Sequence, residues 1–194
     1  MKREESRTQR ADALRNRQRL MEVAFRAFSS GDEPVTLEAI AREAGVGIGT
    51  LYRHFPTREA LVEAVYRTEL SRLRENAEQL LATHPADVAL RAWMDGFSKY
   101  VAAKHGMAET LRAIAATGAI SKSETHGLMI GTIQFLLDAG RSAGSVRSDV
   151  DAEDIFASLT GIFLASGSRD QAARMLDLLM HGLRPAVALH PTPR

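Results

Sequence analysis

Thr36-Leu37-Glu38-Ala39-Ile40-Ala41-Arg42-Glu43-Ala44-Gly45-Val46-Gly47-Ile48-Gly49-Thr50-Leu51-Tyr52-Arg53-His54-Phe55 reads as two short helices joined by a tight turn. Thr36 stands where an N-cap belongs, and Glu38 in the first turn places a carboxylate at the positive end of the helix dipole. The helix predicted over residues 37–44 stops at Gly45, which supplies the left-handed residue common just past a helix end. A third helix of the chain is expected over about residues 48–54. Ala41 and Ala44 are small where the pair would cross closely, and Ile40, Val46 and Leu51 are spaced to form its buried hinge. Such a pair is a helix-turn-helix, whose second helix lies in the major groove of DNA. Any helical hairpin shows part of this pattern, so spacing alone leaves a plain structural hairpin open.

Upstream, Leu14, Met21, Ala24, Phe25 and Phe28 recur at helical spacing and predict a first helix over residues 11–30, ended by the breakers Ser30-Gly31-Asp32-Glu33-Pro34. Downstream, Pro56-Thr57-Arg58-Glu59 opens a long fourth helix with Leu61, Val62, Val65, Leu70 and Leu73 on its apolar positions. Further helices are expected over about residues 87–103, 107–117, 124–143, 152–165 and 169–189, with a frayed tail at 190–194. Strand signals are scarce. The expected class is therefore all-α: a three-helix N-terminal module, residues 1–57, joined by a linking helix to a larger helical body within residues 58–194.

Lys and Arg number 25 against 24 Asp and Glu, a net charge of +1, so the whole chain is no obvious polyanion binder. The first thirty residues are locally basic, with eight Lys and Arg against Glu4, Glu5, Asp12 and Glu22. Cysteine is absent, which excludes disulfides and thiolate metal sites. No apolar run approaches the roughly 20 residues of a membrane span, and the charged N-terminus lacks a signal-peptide core. A cytoplasmic protein without membrane attachment is expected.

The run Ala44-Gly45-Val46, then Thr50-Leu51-Tyr52-Arg53-His54-Phe55-Pro56-Thr57-Arg58-Glu59-Ala60-Leu61, resembles the signature of the TetR family of transcriptional regulators, and the likeness extends over residues 11–65. The resemblance implies a helix-turn-helix domain, a linking helix, and a helical ligand-binding and dimerisation domain. Gly47 departs from the family's usual serine, and Arg58 from its usual lysine. By position, the resemblance gives Tyr52 and His54 the role of phosphate contacts, joined by Thr36 and Arg58, which would fix register without reading sequence. Base readout falls to Ile48, Thr50 and Arg53, with Arg42 or Glu38 beside them; arginine can pair with guanine, and Ile48 and Thr50 with thymine methyls. Gly49 permits close backbone approach to the groove wall. The segment before Ala11 is expected to be disordered in the free protein, with Arg3, Arg7 or Arg10 reaching a minor groove.

The C-terminal half resembles the SbtR-like subgroup of the same family. Trp93, Met94, Phe97, Tyr100, Met129 and Ile133 are the candidate lining of an effector cavity for a small, largely apolar molecule, with Thr110, Thr132 and His126 as further polar groups. For any one of them, plain core is the simpler reading. Ile155, Leu159, Ile162 and Phe163, with Met175, Leu176, Leu179 and Leu183, are the expected homodimer interface, which implies a roughly palindromic DNA operator. Effector binding would move the linking helix, residues 57–83; a coupling of about 1–3 kcal/mol changes operator affinity roughly 5–150-fold.

Two rivals remain from other classes. A ligand-independent architectural DNA binder keeps the helix-turn-helix but has a filled body. A small helical enzyme has little to work with: the six histidines are scattered, His105 and Glu109 form at most half a metal site, and no phosphate loop or nucleophile elbow occurs. No metal or cofactor is expected.

Overall fold

The computed structural model describes residues 2–30, 35–119 and 122–185, with side chains from residue 11 onward apart from that of Lys122. Among the described residues there are nine helices and no strand: α1 (Lys2–Ser30), α2 (Leu37–Glu43), α3 (Ile48–His54), α4 (Arg58–Thr83), α5 (Ala86–Gly106), α6 (Ala108–Ala116), α7 (Lys122–Ser142), α8 (Ala152–Ala165) and α9 (Arg169–Leu183). This is the expected all-α class. Three expected boundaries differ, one of them the end of α5, which runs to Gly106 where an end near Ala103 was expected. Helix α1 begins at Lys2, not near Ala11, so the backbone of the basic arm is helical; its lysine, arginines, glutamates and glutamine are good helix formers and continue the helix that follows. The side chains of Arg3, Arg7 and Arg10 lie outside the described residues. Helix α9 stops at Leu183, because the residue before Pro185 is forced out of the helical region: Arg184 sits at φ −66°, ψ 143°. The expected tail at 190–194 lies outside the described residues.

The chain divides into two compact units, residues 1–70 with 99–122, and 71–98 with 123–194. The division falls inside α4 and α5. The physical reason is that the first turns of α4 are core to the first unit, with Leu61, Val62, Val65 and Tyr66 all buried.

In the first unit α1 contributes Leu20, Val23 and Phe28 to the core, α2 Ile40, the end of α3 Leu51 and Phe55, and α4 Leu61 and Val62, each no more than 2% exposed. Each such burial contributes roughly 1.5–3 kcal/mol relative to exposure. Cations hold the rim: the Arg17 guanidinium lies 5.1 Å over the Phe55 ring, and Arg26 pairs with Glu43 at 3.0 Å. The end of α5 abuts α1 so closely that a Cβ on Gly106 would lie 2.0 Å from the Phe28 carbonyl oxygen. Tyr66 of α4 and Tyr100 of α5 share a buried hydroxyl–hydroxyl hydrogen bond of 3.2 Å. Burial, then the neighbouring Tyr66, pushes the Tyr100 hydroxyl well up, so it stays protonated.

The second unit is built on Trp93, fully buried, whose Nε1–H donates to the Leu73 carbonyl at 2.9 Å and whose ring stacks on Phe97 at 5.6 Å. Arg91 ties α5 to α9, donating from Nε to Asp177 at 2.9 Å and from Nη2 to the Ala173 carbonyl at 3.3 Å. The Arg147 amide donates to the Leu183 carbonyl at 2.9 Å and so closes the end of α9.

Candidate nucleic-acid interface

Two short helices are presented on the first unit by a turn whose geometry follows from its residues. Gly45 has φ +67°, its amide donates to Arg42 at 3.1 Å, and the Val46 amide donates to Ala41 at 3.0 Å. That pair of bonds is a Schellman ending, which satisfies the last carbonyls of α2 and turns the chain sharply into α3. Thr36 caps α2, its Oγ1 accepting from the Ala39 amide at 3.2 Å. Gly47 caps α3 with no side-chain bond, so the first amides of α3 have no hydroxyl to satisfy them. Helix α3 ends at His54, and Phe55, buried beneath it, leads into Pro56.

The candidate residues then separate by exposure. Leu51 is fully buried and anchors α3 to the core. Ile48 is 38% exposed and Tyr52 44%, one helical turn apart on one ridge. Thr36, Arg42, Gly49 and Arg53 are exposed; Thr50 and His54 are half-buried. Arg53 folds back along its own helix, donating from Nε to the Gly49 carbonyl at 3.2 Å and from Nη2 to Thr50 Oγ1 at 3.3 Å. Arg42 stands in the last turn of α2, where a cation also complements the helix dipole.

Arg58 has a role that sequence reading missed. Its Nη1 donates to the Val35 carbonyl at 2.5 Å, and the guanidinium lies 5.5 Å over the Phe28 ring. It therefore locks the entry to α2 onto α1 and α4. At the start of α4, Thr57 Oγ1 accepts from the Ala60 amide at 3.1 Å. Glu59's carboxyl is held below the usual carboxylate range, first by its own backbone N–H and then by the Thr57 hydroxyl.

Elsewhere the structure redistributes the expected sites. Trp93, Met94, Phe97, Met129 and Ile133 are all buried in the second unit, whereas Tyr100 belongs to the first. Thr132 spends its hydroxyl on the Leu128 carbonyl at 2.9 Å, and the exposed His126 meets the Glu153 carboxylate at 2.9 Å while its ring rests edge-on against Phe156. An open depression of about 760 Å³ in the second unit is walled by residues 146–149 and by His181, Gly182, Arg184 and Pro185, none of them an expected effector contact. Of the expected dimer residues, Ile155, Leu159, Ile162, Leu176 and Leu183 are buried inside the protomer; Phe163, Met175 and Leu179 are half-buried. The large apolar side chains that α8 and α9 expose are instead Leu164, at 65%, and Leu178, at 72%. Among the described residues no three His, Asp or Glu side chains gather as a metal site requires, and no helix is long and apolar enough to cross a membrane.

Residues 20–65 match the family of bacterial regulatory proteins, tetR family, and residues 85–185 match the C-terminal domain of SbtR-like transcriptional regulators. The TetR transcriptional regulator SCO0520 from Streptomyces coelicolor is 48% identical and superposes with a TM-score of 0.80, over 88% of this chain and 99% of that one. A TetR transcription regulatory protein from Mycobacterium vanbaalenii is 36% identical, with a TM-score of 0.72 over 91% of this chain and 99% of that one. The chain belongs to the TetR family. Among curated relatives, an HTH-type transcriptional regulator of Staphylococcus aureus strain bovine RF122 is 37% identical over 79 residues, 40% of this chain and 43% of its own length. Another from strain N315 is 44% identical over 62 residues, 31% of this chain and 34% of its own length. The chain spans less than half the length of these curated relatives. As a TetR-family protein it is a DNA-binding transcriptional regulator whose helix-turn-helix is α2 and α3, and its C-terminal half is of the SbtR-like type. The N-terminal match begins at Leu20, the first fully buried side chain among the described residues of α1, and ends at Val65 on the buried face of α4. The matched segment is thus the packed module itself.

Proposed function

We propose that this regulator is a homodimeric repressor that binds a palindromic operator and leaves it when a small, largely apolar effector enters the helical body. The observation that carries the DNA-binding half is α3: Ile48, Tyr52 and Arg53 stand exposed on a helix whose Leu51 is fully buried. In this reading Tyr52, His54, Thr36 and Arg58 hold phosphates, while Ile48, Thr50, Arg53 and Arg42 face base edges over the bare backbone of Gly49. Residues 1–57 act as the DNA-binding domain and 58–194 as the effector and dimerisation domain, in the cytoplasm with the chromosome. Trp93, Met94, Phe97, Met129 and Ile133, all in the second unit, are the apolar contacts of the effector.

Selection from random duplex DNA, run with the wild type and with Tyr52→Ala, tests the reading. A palindromic motif enriched by the wild type and lost or weakened tenfold or more in the variant, an assumed loss of about 1.4 kcal/mol over the whole operator, supports it. A folded dimer that enriches nothing overturns it. The complete burial of the five apolar candidates favours one second reading, an architectural DNA binder that takes no ligand. Titration of apolar compounds against Trp93 fluorescence separates the two: a saturable change with loss of operator selects the sensor.

A further inference from the structure

The open depression in the second unit lies between two segments tied to each other: the loop from α7 to α8, and the last turn of α9 with the residues just after it. The loop is set by its own backbone, with Gly144 at φ +67° and the Ser145 and Val146 amides donating to the Gly140 carbonyl at 2.9 and 3.2 Å. Val146 is buried, so that wall is anchored in the core. At about 760 Å³ the space falls within the roughly 300–1,000 Å³ of small-molecule pockets.

Its chemistry follows from which acceptors and donors are already engaged. A helix end ordinarily offers bare carbonyls and the negative end of the dipole. Here the His181 carbonyl accepts from the Arg184 amide at 3.3 Å, the Gly182 carbonyl from Arg147 Nη1 at 3.5 Å, and the Leu183 carbonyl from the Arg147 amide at 2.9 Å. The lining's carboxylate, Asp149, is engaged as well, its two oxygens accepting from Arg147 Nε at 2.7 Å and Nη2 at 2.6 Å. The donors are left over. The Arg184 guanidinium and the Ser148 hydroxyl, both exposed, bond nothing among the described residues. Arg184 stands at the rim because Pro185 ends α9 there. Gly182 adds room: its φ is not positive and a Cβ on it would meet nothing within 4 Å, so neither backbone geometry nor packing in this chain requires glycine.

A lining with its acceptors engaged and a guanidinium fork open is complementary to an oxyanion. We propose that the depression is a ligand site for a small organic anion, whose phosphate or carboxylate pairs with Arg184 and Ser148 and whose apolar part rests on Gly182 and Pro185. The site is distinct from the buried apolar candidates around Trp93 and does not depend on their binding an effector.

The test titrates the full-length, ¹⁵N-labelled protein with phenyl phosphate, with benzoate and, as the uncharged control, with phenol, and follows amide shifts. At least one anion should give saturable shifts centred on the Ser148, Gly182 and Arg184 amides at millimolar concentration, and the tighter of the two identifies the oxyanion. Phenol should give none there. Arg184→Gln should weaken the tighter anion about tenfold, as loss of a charge-assisted hydrogen bond does, and Arg184→Lys should recover part of that. Gly182→Leu, which puts a side chain into the space, should weaken it to a similar degree. Both positions are exposed, so these variants should melt no lower than the wild type. No saturable shift with either anion, shifts centred on the Trp93 indole instead, or an equal response to phenol overturns the proposal. So does binding that survives unchanged in Arg184→Gln and Gly182→Leu.

Discussion

Arg58 shows how one side chain can be placed by its sequence position and still hold partners that the sequence does not show. Its position at the start of α4 was legible, and so was its charge. Its partners were not, because the Val35 carbonyl lies 23 residues away and the Phe28 ring 30 residues away, and no local pattern links them. A hydrogen bond from a charged donor contributes roughly 1.5–3 kcal/mol when shielded and a cation–π contact about 0.5–1 kcal/mol at exposed sites; half-burial argues for the lower ends of both. Arg58→Ala should therefore lower unfolding free energy by about 1–2 kcal/mol, measured by urea denaturation of the apo protein. Arg58→Lys should recover only part of it, because an ammonium cannot both reach the carbonyl as a fork and lie flat on the ring. If both variants are as stable as the wild type, Arg58 is a surface cation and its only role is toward phosphate.

At the scale of elements, the helices were legible because their punctuation is chemical. Thr36 and Gly45 were read as helix ends and α2 and α3 follow, while the structure adds Asp151 and Ser168, whose side chains cap α8 and α9. The errors lie where punctuation misleads. A helix was expected to end near Ala103 and the next to begin near Met107, yet α5 runs through to Gly106. Its reason is packing: the Phe28 carbonyl oxygen occupies the place where a Cβ would sit, with the Phe28 carbonyl carbon 3.0 Å and its Cα 3.3 Å from that point. These are backbone atoms, so a methyl group there cannot be accommodated by a rotamer change. Gly106→Ala should cost about 1–3 kcal/mol as overpacking, despite alanine's better helix propensity. A melting temperature unchanged or raised would mean that the end of α5 slides freely along α1. Gly49→Ala serves as the control, since a Cβ there meets nothing and the helix should be firmer.

At the scale of the whole molecule, periodicity shows that a helix face is apolar but cannot name what covers it. That is why the eight expected dimer residues divide: Ile155, Leu159, Ile162, Leu176 and Leu183 went into the protomer, because the packing of α8 against α9 draws on the same residue types as an interface between copies. If the regulator dimerises through α8 and α9, the contact must use what the protomer leaves outside, chiefly Leu164 and Leu178. A two-fold axis counts each loss twice, so removing one well-buried leucine per protomer, at roughly 1.5–3 kcal/mol, should raise the dimer dissociation constant by about a hundredfold or more. Leu178→Ala and Leu164→Ala should therefore yield folded monomers at micromolar concentration in light scattering, with helical circular dichroism unchanged. Leu159→Ala should instead lower stability by about 2–5 kcal/mol, as a core truncation does. Dimers that persist in both surface variants would place the interface on another face. The separation of outcomes matters for regulation, because a monomer offers one recognition helix where a palindrome offers two half-sites, and operator binding should fall together with the dimer.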